Sequence, residues 1–233
     1  MSVVLPAYNE AAVIADSVSA AVRYLIGRVP KFEVIVVDDG STDGTGAAVQ
    51  GLIPTWPAVR LVHHERNRGY GEALRSGFTA ARHEWVFLMD ADGQFDIAEL
   101  GRFFPLTERC DFIAGWRANR ADSWQRAVFT WGYNLLVRAL FGLPVRDVGC
   151  AFKLFRRSVW QQVGGRVQAR DHKVFSVEWL WCVQRSGAAV CELPVRHLPR
   201  RGGQATGARL DVVWAMLREM ARLRWRSFFH PAS

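Results

Sequence analysis

Lysine is scarce in this chain, which has only Lys31, Lys153 and Lys173 among its 30 basic residues. The formal net charge of +8 therefore comes from arginine. Because a guanidinium group binds phosphate through two donors at once, this composition favours a phosphate-bearing partner. The arginines are dispersed and form no nucleic-acid recognition motif, so nucleic acid is not the expected partner.

Cysteine is also scarce, and long apolar runs are absent. The four cysteines, Cys110, Cys150, Cys182 and Cys191, form no CxxC pair and have no His-rich surroundings, which argues against a structural zinc site. We expect all four to be reduced core thiols. No segment resembles a signal peptide or reaches the roughly 18 apolar residues of a membrane span. We therefore expect a cytoplasmic protein that is soluble or lies on the cytoplasmic face of a membrane.

The first half of the chain alternates short β-branched runs with amphipathic segments. The predicted strands are Ser2–Leu5, Phe32–Val37, Arg60–His63 and Trp85–Met89, and the predicted helices lie near 10–27, 43–53 and 70–82. This rhythm is typical of an α/β domain with a mostly parallel sheet and helices on both faces. Ligands of such sheets bind at the carboxyl ends of the strands, where three polar segments would converge.

The second half of the chain is less regular. Its predicted strands are Asp111–Ala114, Phe152–Phe155 and Ala189–Leu193, and its predicted helices are Trp124–Phe141, 156–163 and 174–186. No linker, repeat or low-complexity tract separates the two halves. A chain of 233 residues, half of them hydrophobic, is therefore expected to form one domain.

An acidic segment, DADGQ (90–94), directly follows one buried strand of the predicted sheet. Alternate residues of an extended segment point the same way, so Asp90, Asp92 and Gln94 offer oxygen ligands to Mg²⁺ or Mn²⁺. The alternative is that the two aspartates only cap a helix that begins near Asp96. A second acidic pair at the end of another inner strand, in VVDDGSTDGT (36–45), favours the metal site over the cap.

These motifs resemble those of the family 2 glycosyltransferases. The chain opens with VVLPAYNE (3–10), continues through VVDDGSTDGT and NRGYGEA (67–73), and reaches DADGQ, in the family's order and spacing. The resemblance implies a single GT-A domain, over residues 1–206, that binds a nucleotide-diphospho-sugar donor. It places the donor on Pro6, Ala7, Tyr8, Glu10, Asp38, Asp39, Asn67, Gly69, Asp90 and Ala91.

Downstream segments resemble the branch of this family that makes polyprenyl-phosphate sugars. The matching segments are Gly115-Trp116-Arg117, DVGCAFK (147–153) and Glu178. The resemblance implies inverting transfer of mannose or glucose to a lipid phosphate. Such an acceptor is already anionic near neutral pH, and so it needs cationic side chains more than a general base.

The expected catalytic residues are Asp92 together with arginines that would hold phosphate charge: Arg117, Arg126 and Arg200. Arg126 begins a polar stripe on the helix 124–141, although a solvated helix face is the alternative. Arg200 opens RRGGQAT (200–206), which resembles the family's RxxGxSK element but has Ala205 and Thr206 in place of Ser and Lys.

Glu178 is the one acid in an apolar helical stretch, where a carboxylate is costly to bury unless it is paired. Pairing with an arginine is the preferred interpretation, and a catalytic base is the alternative.

Two helices are candidates for contact with a lipid surface. Trp124, Val128, Trp131 and Leu135 are predicted to form an apolar stripe, and residues 207–233 are predicted to form a basic amphipathic helix that carries Trp214 and Trp225. That C-terminal helix either belongs to the same domain or contacts a membrane surface or a second copy.

Two other functions stay open at this point. An enzyme of the same fold would glycosylate a saccharide or small-molecule hydroxyl and need a base near the acceptor. A non-catalytic nucleotide-sugar-binding or assembly module would keep the crevice without turnover.

Overall fold

The computed structural model describes residues 1–120, 124–169, 172–199, 220 and 223–225, with the backbone alone at 119, 120, 124–129, 172 and 173. The strands are β1 Ser2–Ala7, β2 Glu33–Asp38, β3 Val59–His63, β4 Trp85–Met89, β5 Phe112–Arg120, β6 Phe152–Arg156 and β7 Val190–His197. The α-helices are α1 Ile14–Leu25, α2 Thr45–Leu52, α3 Tyr70–Ala80, α4 Trp124–Phe141, α5 Arg157–Val163 and α6 His172–Arg185. Two short 3₁₀ helices cover Ile97–Arg102 and Phe104–Glu108.

The strands form one sheet in the order β3-β2-β1-β4-β6-β5-β7. Strands β1 to β4 pair in parallel, as do β5 and β7. Strand β6 runs antiparallel to both of its neighbours, β4 and β5. The predicted α/β class with a mostly parallel sheet is therefore confirmed.

The hydrophobic core has two parts, one on each face of the sheet, because successive strand residues point to opposite faces. On one face Val4 and Ile35 pack with α3, α5 and α6 around the buried ring of Trp179. On the other face Val3 and Val34 pack with α1 and the 3₁₀ helices. The prediction of helices on both faces is confirmed.

Helix α3 approaches the sheet closely at Gly77. A Cβ atom placed there would lie 2.4 Å from Cγ1 of Val4 and 3.1 Å from Cγ2 of Val37. Side chains essentially never approach that closely, so the separation between α3 and strands β1 and β2 depends on this glycine.

Several predicted boundaries change. Strands β5 and β7 extend to Arg120 and His197, beyond the predicted ends at Ala114 and Leu193. The extension has a tertiary cause, because Gly115 pairs with Leu193 and the two strands continue together to their ends. Among the described residues, no helix is long and apolar enough to cross a membrane.

The expectation of four reduced thiols is wrong for two of the cysteines. Cys110 and Cys191 form a disulfide, with their Cα atoms 6.0 Å apart. The parallel pairing of Phe112 with Val190 brings these positions together, which local sequence spacing did not indicate. Cys150 and Cys182 are free and buried.

Candidate active site

The carboxyl ends of β1, β2 and β4 lie together at one edge of the sheet. Strand β1 lies between the other two and is parallel to both, with Ala7 paired to Asp38. The loops that follow these strands carry the YNE, DDGS and DADGQ segments. The predicted convergence of three strand ends on one crevice is confirmed.

Hydrogen bonds join the loop after β1 to the loop after β2. The Asn9 amide donates to Ser41 Oγ and the Thr42 amide donates to Asn9 Oδ1, both at 2.9 Å. The Glu10 amide donates to Thr45 Oγ1, also at 2.9 Å. Asn9 has a φ of +56°, a left-handed conformation that asparagine tolerates better than most residues. The two loops therefore form one rigid wall of the crevice.

Of the residues predicted to contact the nucleoside, Pro6 and Ala7 are buried at the end of β1. The Tyr8 side chain follows them and is 47% exposed. An exposed aromatic ring at a strand end offers a flat surface for a base, whereas Pro6 and Ala7 can present only backbone and small apolar surface.

Asp39 is buried and holds the turn before α3. Its carboxylate accepts hydrogen bonds from the amides of Arg68 and Gly69, at 2.9 and 2.8 Å. The His64 ring donates to the same carboxylate from Nδ1 at 2.6 Å. Asn67 Oδ1 also accepts from the Gly69 amide, at 3.0 Å, and Gly69 has a φ of +92°. This turn is therefore fixed to the end of β2.

Asp38, its neighbour, is also buried. One carboxylate oxygen accepts from the Ser41 amide at 3.0 Å, and the other is 3.0 Å from His63 Nδ1. A Cβ atom at Gly46 would lie 2.6 Å from Asp38 Oδ2. The described contacts of Asp38 are thus with the loop after β2, the start of α2 and the end of β3.

Asp90 and Asp92 form a carboxylate pair, two residues apart, directly after β4. Burial, and then the neighbouring charge of Asp92, raise the pKa of Asp90 to about 7. The Tyr70 hydroxyl donates to Asp90 Oδ1 at 2.9 Å, and this bond favours the ionised carboxylate. Burial and the Asp90 charge raise the pKa of the Tyr70 phenol, so that it stays a donor.

The helix-cap alternative does not account for this pair. The 3₁₀ helix that follows is capped by Asp96, whose Oδ1 accepts from the Ala98 amide at 2.9 Å. Asp92 Oδ1 accepts from the Gln94 amide within the DADGQ turn, at 3.0 Å. Gln94 Nε2 donates to the Leu198 carbonyl at 3.1 Å, which leaves its amide oxygen as the group able to bind a cation.

The carboxylate pair fits a divalent cation. Two like charges at a partly buried site repel, and a hard cation between them would remove that repulsion. Among the residues that the structure describes, no cluster of three or more His, Cys, Asp or Glu side chains could hold a metal. The remaining ligands would have to be amide, phosphate or water oxygens, which is the usual shell of Mg²⁺.

Arg117 lies close enough to lower the pKa of Asp90 electrostatically. Its guanidinium binds Asp147 at two points, Nε to Oδ2 at 2.7 Å and Nη2 to Oδ1 at 2.8 Å. Sequence reasoning predicted Arg117 but did not propose Asp147, although it lies in the DVGCAFK segment.

Lys153 is a second residue that sequence reasoning missed. It is buried in the middle of β6, and its ammonium donates to the carbonyls of Val148, at 3.2 Å, and Cys150. Asn134 Oδ1 accepts from the Val148 amide at 3.1 Å. The turn that carries Asp147 is therefore held from both sides. The sequence did contain a signal for Lys153: it is one of only three lysines in the chain, and it lies in an apolar strand.

Glu178 is buried in α6. Its Oε2 accepts from the backbone amides of Gln168 and Ala169, at 2.8 and 2.6 Å. The described hydrogen bonds of Glu178 go to backbone amides, and its pairing with an arginine stays a prediction. These bonds satisfy the carboxylate and hold the chain segment that leads to α6.

Two predicted arginines lie beyond the described side chains. The Arg126 backbone is in α4, but its side chain is outside the described part, and Arg200 is outside it entirely. Leu198, two residues earlier, donates its amide to the Gln94 carbonyl at 2.8 Å, so the chain reaches the DADGQ turn just before Arg200.

A polar cavity of about 360 Å³ lies at the turn before α3. It is lined by Arg66, Asn67, Arg68 and Glu72. Of these residues, only Asn67 was predicted from the sequence to bind the donor.

Residues 2–164 match the family described as Glycosyl transferase family 2. The dolichyl-phosphate beta-glucosyltransferase of Dictyostelium discoideum is 26% identical, over 97% of this chain and 74% of that protein. The dodecaprenyl-phosphate galacturonate synthase of Rhizobium johnstonii is 30% identical, over 87% of this chain and 60% of that protein, so the chain spans slightly less than two thirds of this relative.

Solved structures share the fold. The glucosyl-3-phosphoglycerate synthase of Mycobacterium tuberculosis, solved with Mn²⁺, uridine diphosphate and glucosyl-3-phosphoglycerate, superposes with a TM-score of 0.71 at 21% identity. The superposition covers 97% of this chain and 78% of that one. The expected GT-A fold is thereby confirmed.

Proposed function

Because this chain belongs to glycosyl transferase family 2, we propose that it moves a hexose from a nucleotide-diphospho-sugar to a polyprenyl phosphate, with inversion at the anomeric carbon. The observation that carries the proposal is the Asp90–Asp92 carboxylate pair at the shared edge of β1, β2 and β4. The two curated relatives act, by their names, on dolichyl and dodecaprenyl phosphates, which supports the acceptor class.

The donor would lie across the first two strand ends. In this proposal Tyr8 offers its exposed ring to the base, with Pro6, Ala7 and Glu10 beside it. Asp38 and Asp39 shape the pocket, and the turn with Asn67 and Gly69 presents backbone amides near the diphosphate. By their names, the two relatives transfer glucose and galacturonate, which supports a hexose or a hexose-derived sugar in the donor.

A divalent cation, Mg²⁺ or Mn²⁺, would be held by Asp90, Asp92 and the amide oxygen of Gln94. Once bound, it would neutralise negative charge on the leaving diphosphate. Ala91 is buried between the two aspartates, and its carbonyl accepts from Ser17 Oγ at 2.7 Å, so the backbone between the proposed ligands is fixed to α1. A fixed backbone keeps the two carboxylates in register with the diphosphate.

The acceptor needs positive charge close to the crevice. We assign this role to Arg117, with Arg126 and Arg200 as further contacts. A phosphate oxygen that is already ionised can attack without a general base. Glu178, whose described bonds are to backbone amides, is then a positioning residue for the chain before α6.

The exposed face of α4 supports contact with a lipid surface. Trp131 is 68% exposed and Leu135 is 52% exposed, whereas the polar Asn134 is buried against the turn that carries Asp147. Trp131 and Leu135 thus lie on an exposed, partly apolar face of α4, whereas Asn134, Val137 and Phe141 of the same helix are buried against the domain. Near the end of the chain, Met220 and Leu223 are buried in the core and Trp225 is 68% exposed.

We propose that these exposed tryptophans contact the membrane that contains the lipid acceptor. Flotation with vesicles containing an anionic lipid tests this, and the double variant Trp131→Ser and Leu135→Ser should float less than the parent protein. Equal flotation of both proteins would refute the membrane contact. A second copy covering the same face is the alternative, and sedimentation without vesicles would reveal it as a dimer.

Transfer of a radiolabelled hexose to a short polyprenyl phosphate tests the proposed activity. Asp92→Ala should abolish transfer even at high Mn²⁺, and Asp96→Ala, which removes only a helix cap, should retain it. Near-normal transfer by Asp92→Ala would reject the metal assignment.

The product distinguishes the remaining functions. A lipid-phosphate sugar is released by mild acid, whereas a glycoside formed on a hydroxyl acceptor is stable. If the protein binds a nucleotide sugar but neither transfers nor hydrolyses it, a non-catalytic binding module is the correct description.

A further inference from the structure

Tyr70 links two strand ends of the crevice. It is the first residue of α3, and its hydroxyl donates to Asp90 Oδ1 at 2.9 Å. The residue before it, Gly69, is held by Asp39 at the end of β2 through a 2.8 Å hydrogen bond. The start of α3, and with it the Tyr70 ring, is thus anchored to Asp39 after β2. The Tyr70 hydroxyl in turn bonds Asp90, which follows β4.

The backbone at Gly69 makes this arrangement specific. With a φ of +92°, the chain turns sharply from the residues bound by Asp39 into the first turn of α3. The Glu72 and Ala73 amides then donate to the Gly69 carbonyl, at 3.0 and 3.1 Å, and begin the helix. Tyr70 therefore has little freedom to move away from Asp90.

The hydrogen bond leaves Asp90 suited to bind a cation. Within the described residues the Asp90 carboxylate accepts from no donor other than Tyr70. The phenol occupies one lone pair of Oδ1, so the orientation of the carboxylate is set and the second oxygen is left for a ligand. Partners of this kind orient the side chains that bind a metal, and their loss typically weakens metal binding about 10–100-fold.

We propose that Tyr70 is a positioning residue that orients the Asp90 carboxylate for the cation. The inference rests on the proposed function, because it takes Asp90 and Asp92 as cation ligands. The inference adds a separate claim: the hydroxyl of the first residue of α3 determines how tightly the acidic segment after β4 binds Mn²⁺.

The experiment compares Mn²⁺ binding by four purified proteins, measured by paramagnetic resonance of free Mn²⁺ without donor or acceptor. Tyr70→Phe removes only the hydroxyl and should weaken Mn²⁺ binding about 10-fold or more. Tyr24→Phe is the matched control, since its hydroxyl contacts the Ala98 carbonyl at 3.4 Å, and it should bind as the parent does. Asp92→Ala should lose binding.

A second readout separates positioning from a merely structural role. Raising the Mn²⁺ concentration should restore most of the transfer rate of Tyr70→Phe, so that the metal concentration needed for half-maximal rate rises more than kcat falls. Melting temperature and metal-free binding of uridine or guanosine diphosphate report whether the variant is folded, and both should match the parent.

The outcomes are distinguishable. If Asp92→Ala binds Mn²⁺ like the parent, the proposed metal site itself is wrong. If Asp92→Ala loses Mn²⁺ but Tyr70→Phe binds it normally, the role of Tyr70 is refuted and the proposed function stands. A lower melting temperature in Tyr70→Phe with unchanged Mn²⁺ affinity likewise refutes positioning.

Discussion

Arg117 and Asp147 form a two-point ion pair, with Nε 2.7 Å from one carboxylate oxygen and Nη2 2.8 Å from the other. Both side chains are largely buried, and the pair fixes the plane of the guanidinium beside the carboxylate pair. Because Asp147 fixes the guanidinium plane, it also fixes the directions of the other guanidinium N–H groups of Arg117. In the proposed acceptor site, Arg117 would therefore meet the phosphate in an orientation set by Asp147.

Loss of this pair should lower the transfer rate more than the stability of the fold. We expect Asp147→Asn to reduce kcat/KM about 100-fold, because a displacement near 1 Å of a positioning group has effects of that size. Glu99→Gln breaks the Arg102–Glu99 contact of 2.7 Å on the surface and serves as the control. Equal rates for the two variants would show that the orientation of Arg117 does not matter.

Lys153 should contribute to stability through its buried hydrogen bonds. Burial lowers the pKa of its ammonium, whereas the charges of nearby acids, including Asp147 and Asp90, act in the opposite direction. Lys153→Met leaves the Val148 and Cys150 carbonyls without this donor, which we expect to cost about 2–4 kcal/mol of unfolding free energy. Denaturant unfolding measures the difference, and Lys31→Met at an exposed lysine should be within about 0.5 kcal/mol of the parent.

The thiols should divide into two classes. Burial, and then the Asp147 charge, raise the pKa of Cys150 to about 12, and burial raises the pKa of Cys182 to about 12. Neither thiol is ionised at pH 8, so iodoacetamide should label neither in the native protein. After unfolding without reductant, intact mass should show two labels, and four after reduction. Four labels without reductant would contradict the Cys110–Cys191 bond.

Glu33 should make stability depend on pH in the acid range. Burial by itself raises the pKa of Glu33, but hydrogen bonds from Ser2, Arg60 and the Arg82 amide outweigh it, and the net shift is downward. A depressed folded-state pKa adds stability above the unfolded-state value of about 4.3, and this stability is lost as pH falls through the folded-state pKa.

Glu33→Gln should therefore lower the melting temperature by a few degrees at pH 7, and the difference should shrink below about pH 4. Glu65→Gln, at an exposed position, should show no such trend. A constant difference between Glu33→Gln and the parent across this range would mean that the carboxylate charge is not what stabilises the fold.

The sequence alone predicted the parallel strands β1 to β4, because each of these strands is a β-branched run that ends in polar or turn residues. The acidic motif at the end of β4 predicted Asp90 and Asp92 as site residues, and the resemblance at Gly115-Trp116-Arg117 predicted Arg117. The sequence did not predict the full length of β5, because Gly115-Trp116-Arg117 interrupts the apolar run. The strand continues beyond this point by pairing with β7. Local pattern carries no information on such a partner.

The contacts within the site were harder to predict for the same reason. The bonds from His64 and Gly69 to Asp39 join positions far apart in sequence, and histidine in a loop carries no local signal for such a contact. Asn134 lies at helical spacing from Arg126, yet it is buried against the turn after α4, on the same side of the helix as the buried Val137 and Phe141. Spacing gives the angle around a helix axis but not which side faces the domain.

The absence of a side chain at Gly77 affects the position of Tyr70, which lies on the same helix but does not contact Gly77. Tyr70 lies seven positions earlier on α3, roughly 10 Å along the helix axis at 1.5 Å per residue. A methyl group at position 77 would press on Val4 and lift the helix from β1, and the phenol at its end would move with it. The absence of a side chain at Gly77 therefore lets α3 lie close to β1 and keeps the Tyr70 hydroxyl within hydrogen-bond distance of Asp90.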